Sequence, residues 1–421
     1  MRKNLAAITP TPSLTIPSSG RFFQRWVLQY LNKLQRCHIV LHDDTGKYHL
    51  GDADQELHAT IRIHDMHAYQ RLVFSGGTGA AEGYMAGEWS CDDLTAVVRI
   101  FSLNWTLLYD LERRGPARLT TWLLRAIHAL RRNTRSGSRA NIAAHYDLGN
   151  DFYELFLDET LMYSSAIFPR PDADLHEASL HKLERICRKL DLQPTDHVLE
   201  IGTGWGGFAL YAAQHYGCRV TTTTISKAQF DLASARVRQA GLADRVTVLL
   251  SDYRDLEGQY DKLVSIEMIE AVGHQYFPTY FNACSRLLKE DGLMVLQTIT
   301  LADQDYEFGK RSVDFIKNYI FPGGCLPSPM AISQALAKAA DLRVFHLEDI
   351  GPHYATTLKH WRERFLANRD RIRALGFNDE FMRLWEYYFC YCEGGFMERA
   401  IGAMQIVLTK PLCRREPLLT I

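Results

Sequence analysis

Residues 200–207 read Glu-Ile-Gly-Thr-Gly-Trp-Gly-Gly, directly after the apolar run His197 to Ile201 and directly before an alanine-rich helical pattern. Glycines at 202, 204 and 207 allow a tight turn whose backbone can approach a ligand beside the free amides of a helix N-terminus. That arrangement suits a nucleotide-like molecule. A nicotinamide cofactor would call for a carboxylate about 20 residues further on to hold its ribose. Thr221, Thr222, Thr223 and Thr224 stand there instead. The preceding Glu200 and an acid-x-Gly-x-Gly-x-Gly loop point to S-adenosylmethionine (AdoMet). The alternative is a purely structural turn.

The surrounding pattern is what such a loop needs. Strands are expected at His197 to Ile201, Arg219 to Thr224, Val246 to Leu250, Lys262 to Ile266 and Leu293 to Ile299. Helices are expected between them at Phe208 to His215, Lys227 to Ala240 and Phe277 to Leu288. Regular alternation predicts a parallel sheet with helices on both faces. A helical insert near Asp303 to Ile320, a Pro/Gly loop, a long helical region from Ala355 to about Glu398 and a closing strand at Ile401 to Thr409 follow. Upstream, residues 21–112 mix short apolar runs (Cys37 to Leu41, Thr60 to Ile63) with the helical stretch Phe22 to Leu34, which predicts a smaller α+β domain.

The chain has 421 residues, 47% hydrophobic and 23% charged, too long for one typical core and of ordinary globular composition. Its longest uncharged stretch, Asn318 to Ala337, is broken by Pro322, Pro327 and Pro329, which excludes a membrane-crossing helix there. Nine scattered cysteines give no CxxC metal pair and suggest reduced thiols in a cytoplasmic protein. Net charge is −1, yet residues 1–140 hold 18 Lys and Arg against 12 Asp and Glu. No acidic residue lies between Arg113 and Tyr146, whereas eight arginines from Arg113 to Arg139 do. With Leu123, Ile127 and Leu130 at helical spacing, 113–140 reads as a basic amphipathic helix and linker, suited to an anionic membrane surface. A domain-packing helix is the competing reading; nucleic acid is not expected, because the block stands alone in a near-neutral chain. Residues 1–20, rich in Pro, Ser and Thr, read as a disordered tail.

Several ordered motifs then carry a resemblance. His145-Tyr146-Asp147-Leu148-Gly149-Asn150-Asp151, Met162-Tyr163-Ser164, the 202–207 loop, Thr224-Ile225-Ser226-Lys227-Ala228-Gln229, Asp252-Tyr253-Arg254-Asp255, the run from Tyr319 to Pro327 and Tyr354-Ala355-Thr356-Thr357-Leu358 resemble the cyclopropane fatty acid synthase family, over about residues 70–410. The stretch Gly77 to Leu94 is similar to that family's N-terminal lipid-associated domain. The resemblance implies a Rossmann-like class I AdoMet-dependent methyltransferase with a mainly parallel seven-stranded sheet over 141–421. It implies methyl transfer to the double bond of an unsaturated acyl chain in a membrane phospholipid, with cyclopropane formation. A methyl-branched or methylene product is the alternative, and a non-catalytic lipid-binding protein a third reading. The expected partners are an unsaturated phospholipid, the anionic inner face of the cell membrane, where the protein would sit peripherally, and a second copy of the chain as a homodimer.

Residue by residue, the resemblance assigns Tyr163 and Ser164 to the methionine part of AdoMet, Gly202 and Gly204 to its cradle, Thr223, Thr224 and Gln229 to the ribose side, and Tyr253 and Ile266 to the adenine. Tyr319, Phe321 and Tyr354 would offer aromatic faces to a carbocation. A bound bicarbonate would take the last proton, held by Glu270, Tyr354 and the Ile299 amide. Three departures stand beside these: Ser165 replaces the usual Cys, Gln297 the usual His, and Ala271 the His that often follows the glutamate. Ser165 and Gln297 keep hydrogen-bond donors but supply no imidazole. No metal is expected.

Overall fold

The structure, a computed structural model, describes residues 20–107 and 148–418. The expected tail (apart from Gly20), the basic helix and linker at 113–140, and His145 to Asp147 lie outside these residues. The chain divides into two compact units.

The first unit takes residues 20–107, 312–322 and 373–398. Its sheet has the order β2-β1-β3-β4, from β1 (His38–Asp43), β2 (Gly46–Gly51), β3 (His58–Ile63) and β4 (Trp89–Cys91). The β1–β2 hairpin turns where Asp43 accepts from the Thr45 and Gly46 amides at 2.8 and 3.1 Å. Alternation puts Ile39, Leu41, Ala59 and Ile61 on a buried face. The helix Leu94–Leu103 begins at Asp93, whose carboxylate caps the Ala96 amide at 2.9 Å. It lies so close to the helix Asp379–Met397 that a Cβ on Gly394 would meet Val98 Cγ1 at 2.7 Å.

The second unit takes 148–311, 323–372 and 399–418. It is a three-layer α/β body around a seven-stranded sheet of order β10-β11-β9-β8-β5-β6-β7. The strands β5 (His197–Ile201), β6 (Arg219–Thr224), β7 (Val246–Leu250), β8 (Tyr260–Ile266) and β9 (Leu288–Thr300) are parallel. The strands β10 (Arg343–Asp349) and β11 (Gly402–Thr409) close the edge antiparallel. Strand alternation builds a core on each face. Leu199, Leu263, Met294, Leu296, Ile406 and Leu408 pack with Phe277, Tyr280 and Phe281. Val198, Val264, Val295 and Val407 pack with Leu183, Ile186, Phe208 and Ala212. Burial on both faces is why these strands read as continuous apolar runs.

The sequence pattern missed several elements, the helix Pro329–Ala339 among them, and two others are instructive. The edge strand β10 is largely exposed and carries Arg343, His346, Glu348 and Asp349, so it gives no apolar run. The helix Leu175–Leu190 carries an apolar stripe at helical spacing (Leu175, Ala178, Leu183, Ile186, Leu190) that the sequence reading leaves unused, and its inner face also buries Lys182 and Lys189. The 303–320 insert is a helix Asp303–Arg311 followed by a π-helical turn Ile316–Ile320. The long C-terminal helical region is three helices, broken at Asn368 and again before the cap Asn378. Among the described residues no helix is long and apolar enough to cross a membrane.

The Gly394 contact gives a stability test. Gly394→Ala should destabilise the protein by ~1–3 kcal/mol through overpacking against Val98. Paired Val98→Ala should restore much of the loss in a thermal melt; a neutral single variant would contradict the close helix approach.

Candidate active site

At the C-terminal end of β5, Gly202 and Gly204 adopt φ of 105° and 52°, backbone that favours glycine. A Cβ on Gly204 would enter open space, whereas one on Gly207 would strike Met162 Sδ at 2.6 Å and the Thr160 carbonyl at 2.7 Å. The first glycine thus leaves room for a ligand and the second lets the helix Gly207–Tyr216 pack. Below the loop, Glu200 is buried, accepts from Thr222 Oγ1 at 2.6 Å and is pushed up to about 8 by burial.

The other expected cofactor residues lie around the same strand ends. Thr224 donates to Gln229 Oε1 at 2.8 Å, which leaves the Gln229 amide nitrogen as the donor end of the pair. Thr223 is committed elsewhere: its hydroxyl donates to the Ser251 carbonyl at 2.6 Å, tying β6 to the end of β7. Tyr253 opens a 3-10 turn after β7, its ring 5.5 Å from Tyr280, and Ile266 ends β8. Tyr163 joins an aromatic cluster, 5.5 Å from Tyr153 and 5.2 Å from Trp361, and Tyr153 lies 4.8 Å from the loop's Trp205. Ser164 is buried and accepts from Lys182 Nζ at 2.8 Å; burial drives that lysine down to about 8.

Beside this crevice is a second constellation, centred on a residue to which sequence reasoning gave no role. Glu267 follows β8 directly and has φ 51°, which costs a residue with a Cβ roughly 1–2 kcal/mol. One oxygen, Oε1, accepts from the Ser165 amide at 2.9 Å and from Gln297 Nε2 at 2.8 Å. The other accepts from the Tyr354 hydroxyl at 2.6 Å. The donors expected around a bicarbonate therefore close on a carboxylate of the chain itself. Ser165 takes part through its backbone, not as its side chain suggested, since its hydroxyl donates to the Ala166 carbonyl at 2.9 Å. The Ile299 amide turns to Glu270 Oε1 at 2.6 Å, joined by Thr298 Oγ1 at 2.8 Å. Glu270 Oε2 is buried and has no hydrogen-bond partner among the described residues. These residues do not fit an additional bicarbonate among Tyr354, Gln297 and Ser165.

Burial raises both carboxyl groups, and Glu270 is pushed up to about 8, with the neighbouring Glu267 charge as the second cause. Three donors and the charge of Lys182 oppose the rise at Glu267, so Glu267 is the more readily ionised of the two and Glu270 the more readily protonated. The sequence offers only two glutamates three apart, Glu267 and Glu270, after β8, which does not say which of them the donors surround. Tyr319 and Phe321 belong to the first unit, where Tyr319 donates to Glu82 at 2.6 Å and Phe321 lies 6.4 Å from Tyr388.

Parallel strands with a glycine loop and a Thr/Gln pair at their carboxyl ends define a class I AdoMet-dependent methyltransferase. Residues 133–406 match the mycolic acid cyclopropane synthetase family, and the chain belongs to it. It is 39% identical over 363 residues to tuberculostearic acid methyltransferase UfaA1 of Mycobacterium tuberculosis, covering 83% of each chain. It is 39% identical over 355 residues to the cyclopropane-fatty-acyl-phospholipid synthase of Escherichia coli K12, covering 84% of this chain and 88% of that one. The solved structure of mycolic acid cyclopropane synthase CmaA1 with S-adenosylhomocysteine (SAH) and CTAB superposes with a TM-score of 0.61 at 34% identity, over 65% of this chain and 98% of that one. The protein is thus an AdoMet-dependent methyltransferase of a lipid-modifying family.

Gly204→Val would place a branched side chain in the open space and force it into left-handed backbone. Calorimetry should show AdoMet binding abolished in the folded variant; retained affinity would move the cofactor away from this loop.

Proposed function

We propose that this enzyme methylates the double bond of an unsaturated acyl chain in a membrane phospholipid and closes a cyclopropane ring, with Glu267 as its own proton acceptor. The observation that carries the second part is the partly buried Glu267 carboxylate held by Ser165, Gln297 and Tyr354. The substrate class is supported by the 39% identity to an enzyme named for fatty-acyl-phospholipid cyclopropanation.

AdoMet, when bound, supplies an electrophilic methyl group. The residues present would hold it through the backbone at Gly202 and Gly204, with Gln229 on its ribose side, Tyr253 along its adenine and Tyr163 and Ser164 toward its methionine end. An alkene is a weak nucleophile, so the protein's contribution is alignment and exclusion of water. The alkene electron pair would form one carbon–carbon bond to the methyl carbon as the methyl–sulfur bond breaks and its electron pair leaves with the sulfur, placing positive charge on the other alkene carbon. Glu267 accepts a proton from the delivered methyl, and the released C–H pair forms the second carbon–carbon bond. Glu270, which burial and the neighbouring Glu267 charge hold toward its neutral form, would present its Oε2 without adding a second negative charge.

Loss of a different proton gives a methylene or methyl-branched unsaturated chain. The similarity to a tuberculostearic acid methyltransferase favours retaining this second reading, and mass spectrometry of lipids from a host without its own cyclopropanation separates the two. In the same assay Glu267→Gln should keep AdoMet affinity and lose product by at least ~100-fold, the usual scale of general-base assistance. Removing bicarbonate should leave the parent rate unchanged. A bicarbonate-dependent parent, or an active Glu267→Gln, would refute the internal base. Because the base must be ionised, activity should fall as pH drops through the raised Glu267 value.

Peripheral attachment is proposed through residues 113–139, supported by their acid-free run of arginines. Cosedimentation with anionic vesicles should weaken as salt rises, because exposed charges are screened within ~8 Å at physiological ionic strength. Binding indifferent to salt and to Arg→Gln changes would exclude it.

A further inference from the structure

Behind the Glu267 pocket runs a file of buried polar side chains of which the reaction described above uses only the first, Gln297. Lys189 Nζ donates to Gln405 Oε1 at 2.6 Å. Gln405 Nε2 donates to Gln297 Oε1 at 2.9 Å, and Gln297 Nε2 donates to Glu267 Oε1 at 2.8 Å. The side chains of Lys189, Gln405 and Gln297 are wholly shielded from solvent. Gln405 and Gln297 are direct cross-strand partners in the β11–β9 ladder, so sheet register itself brings the two amides together. Lys189 is held at the far end by Glu348, which also pairs with Arg185.

The direction of this file is chemically determined. An amide group can be turned over, exchanging its oxygen and nitrogen at little steric cost. An ammonium group can only donate. Lys189 therefore requires the oxygen of Gln405 toward itself, which points the Gln405 nitrogen at Gln297, which takes it on oxygen and points its own nitrogen at Glu267. A reversed Gln297 would face the carboxylate with a second oxygen, and the Ser165 carbonyl, which Gln297 Nε2 also reaches at 3.2 Å, would lose its donor too.

We propose that Lys189 and Gln405 are positioning residues that set the polarity of the Gln297 amide and thereby keep a donor on the Glu267 base. The inference rests on the reading of Glu267 as proton acceptor. Other charged and titratable groups face Glu267 from Lys182 on the helix Leu175–Leu190, Glu270 on the following turn and Tyr354 on the helix Gly351–Ala367. None of them can replace the directional information, because none bonds to Gln297 Oε1.

The discriminating variant is Gln405→Glu, which keeps size and still accepts from Lys189. A carboxylate cannot donate to Gln297, so Gln297 must turn over to donate to it and present oxygen to Glu267. Removing a hydrogen bond to a charged group destabilises the carboxylate by about one pKa unit or more. The acid limb of the kcat–pH profile on unsaturated phospholipid vesicles should therefore move up by about one unit, with AdoMet affinity unchanged. Gln405→Met, which removes the donor without adding charge, leaves Gln297 held only through its nitrogen by Glu267 and the Ser165 carbonyl, so it should shift the limb in the same direction by less, and it carries the test if the glutamate variant does not fold. A merely structural role predicts a lower melting temperature with the parent's acid limb. That result, or a parallel loss of AdoMet affinity, would overturn the proposal. Glu267→Gln run alongside separates the two levels. If it is inactive while both Gln405 variants keep the parent profile, only the positioning role fails; if it stays active, the reading of Glu267 itself fails.

Discussion

Taking a carboxylate out of water costs several kcal/mol unless hydrogen bonds and charge replace its solvation. In this protein that cost is concentrated at Glu267, and the catalytic unit is organised around offsetting it. Its three donors come from three separate parts of the chain: the Ser165 amide from a loop, Gln297 from β9 and Tyr354 from the helix Gly351–Ala367. The Glu267 amide in turn donates to the Gln297 carbonyl at 2.8 Å, so side chain and backbone are fastened to the same strand. A left-handed backbone at a non-glycine residue persists only when its surroundings over-determine it, and here they do.

The neighbouring Glu270 shows why two carboxyl groups can share a dry pocket. Like charges so close cannot both ionise cheaply, and environment decides which does. Glu267 has three donors and the field of a buried lysine; Glu270 has two donors on one oxygen and, among the described residues, none on the other. In the proposed reaction this division matters, because an unengaged carboxylate beside a carbocation could capture it as an ester. Hydrogen bonds that occupy the Glu267 oxygens lower their nucleophilicity while leaving enough basicity for a proton as acidic as one next to a carbocation.

The second unit was legible because its strands are buried on both faces and its loop needs glycine at positions a ligand approaches. What escaped were polar residues on inner faces. Lys182 and Lys189 occupy core positions of a helix, and hydrophobic periodicity counts such residues as exposed. β10 is an edge strand with a wet outer face, so nothing in its composition marks it. At the pocket itself, Tyr354, Gln297, Ser165 and Glu270 could be singled out, but the group they surround could not. Whether a carboxylate points at its neighbours depends on the backbone turn at residue 267, and a positive φ outside glycine has no sequence signature.

An exchangeable anion and a tethered carboxylate can both take a proton, yet they couple the reaction to different things. The occupancy of a diffusible base follows its concentration. A side chain fixed in the pocket acts as an intramolecular base, whose effective concentration is set by geometry alone. The consequence falls on the fold: desolvation and backbone strain at Glu267 become permanent terms in stability, carried by the sheet and by the Lys189–Gln405–Gln297 file even when no substrate is present. Pairing β11 against β9 in this register is therefore more than closure of the sheet edge, since a two-residue slip would keep the apolar alternation and still separate Gln405 from Gln297.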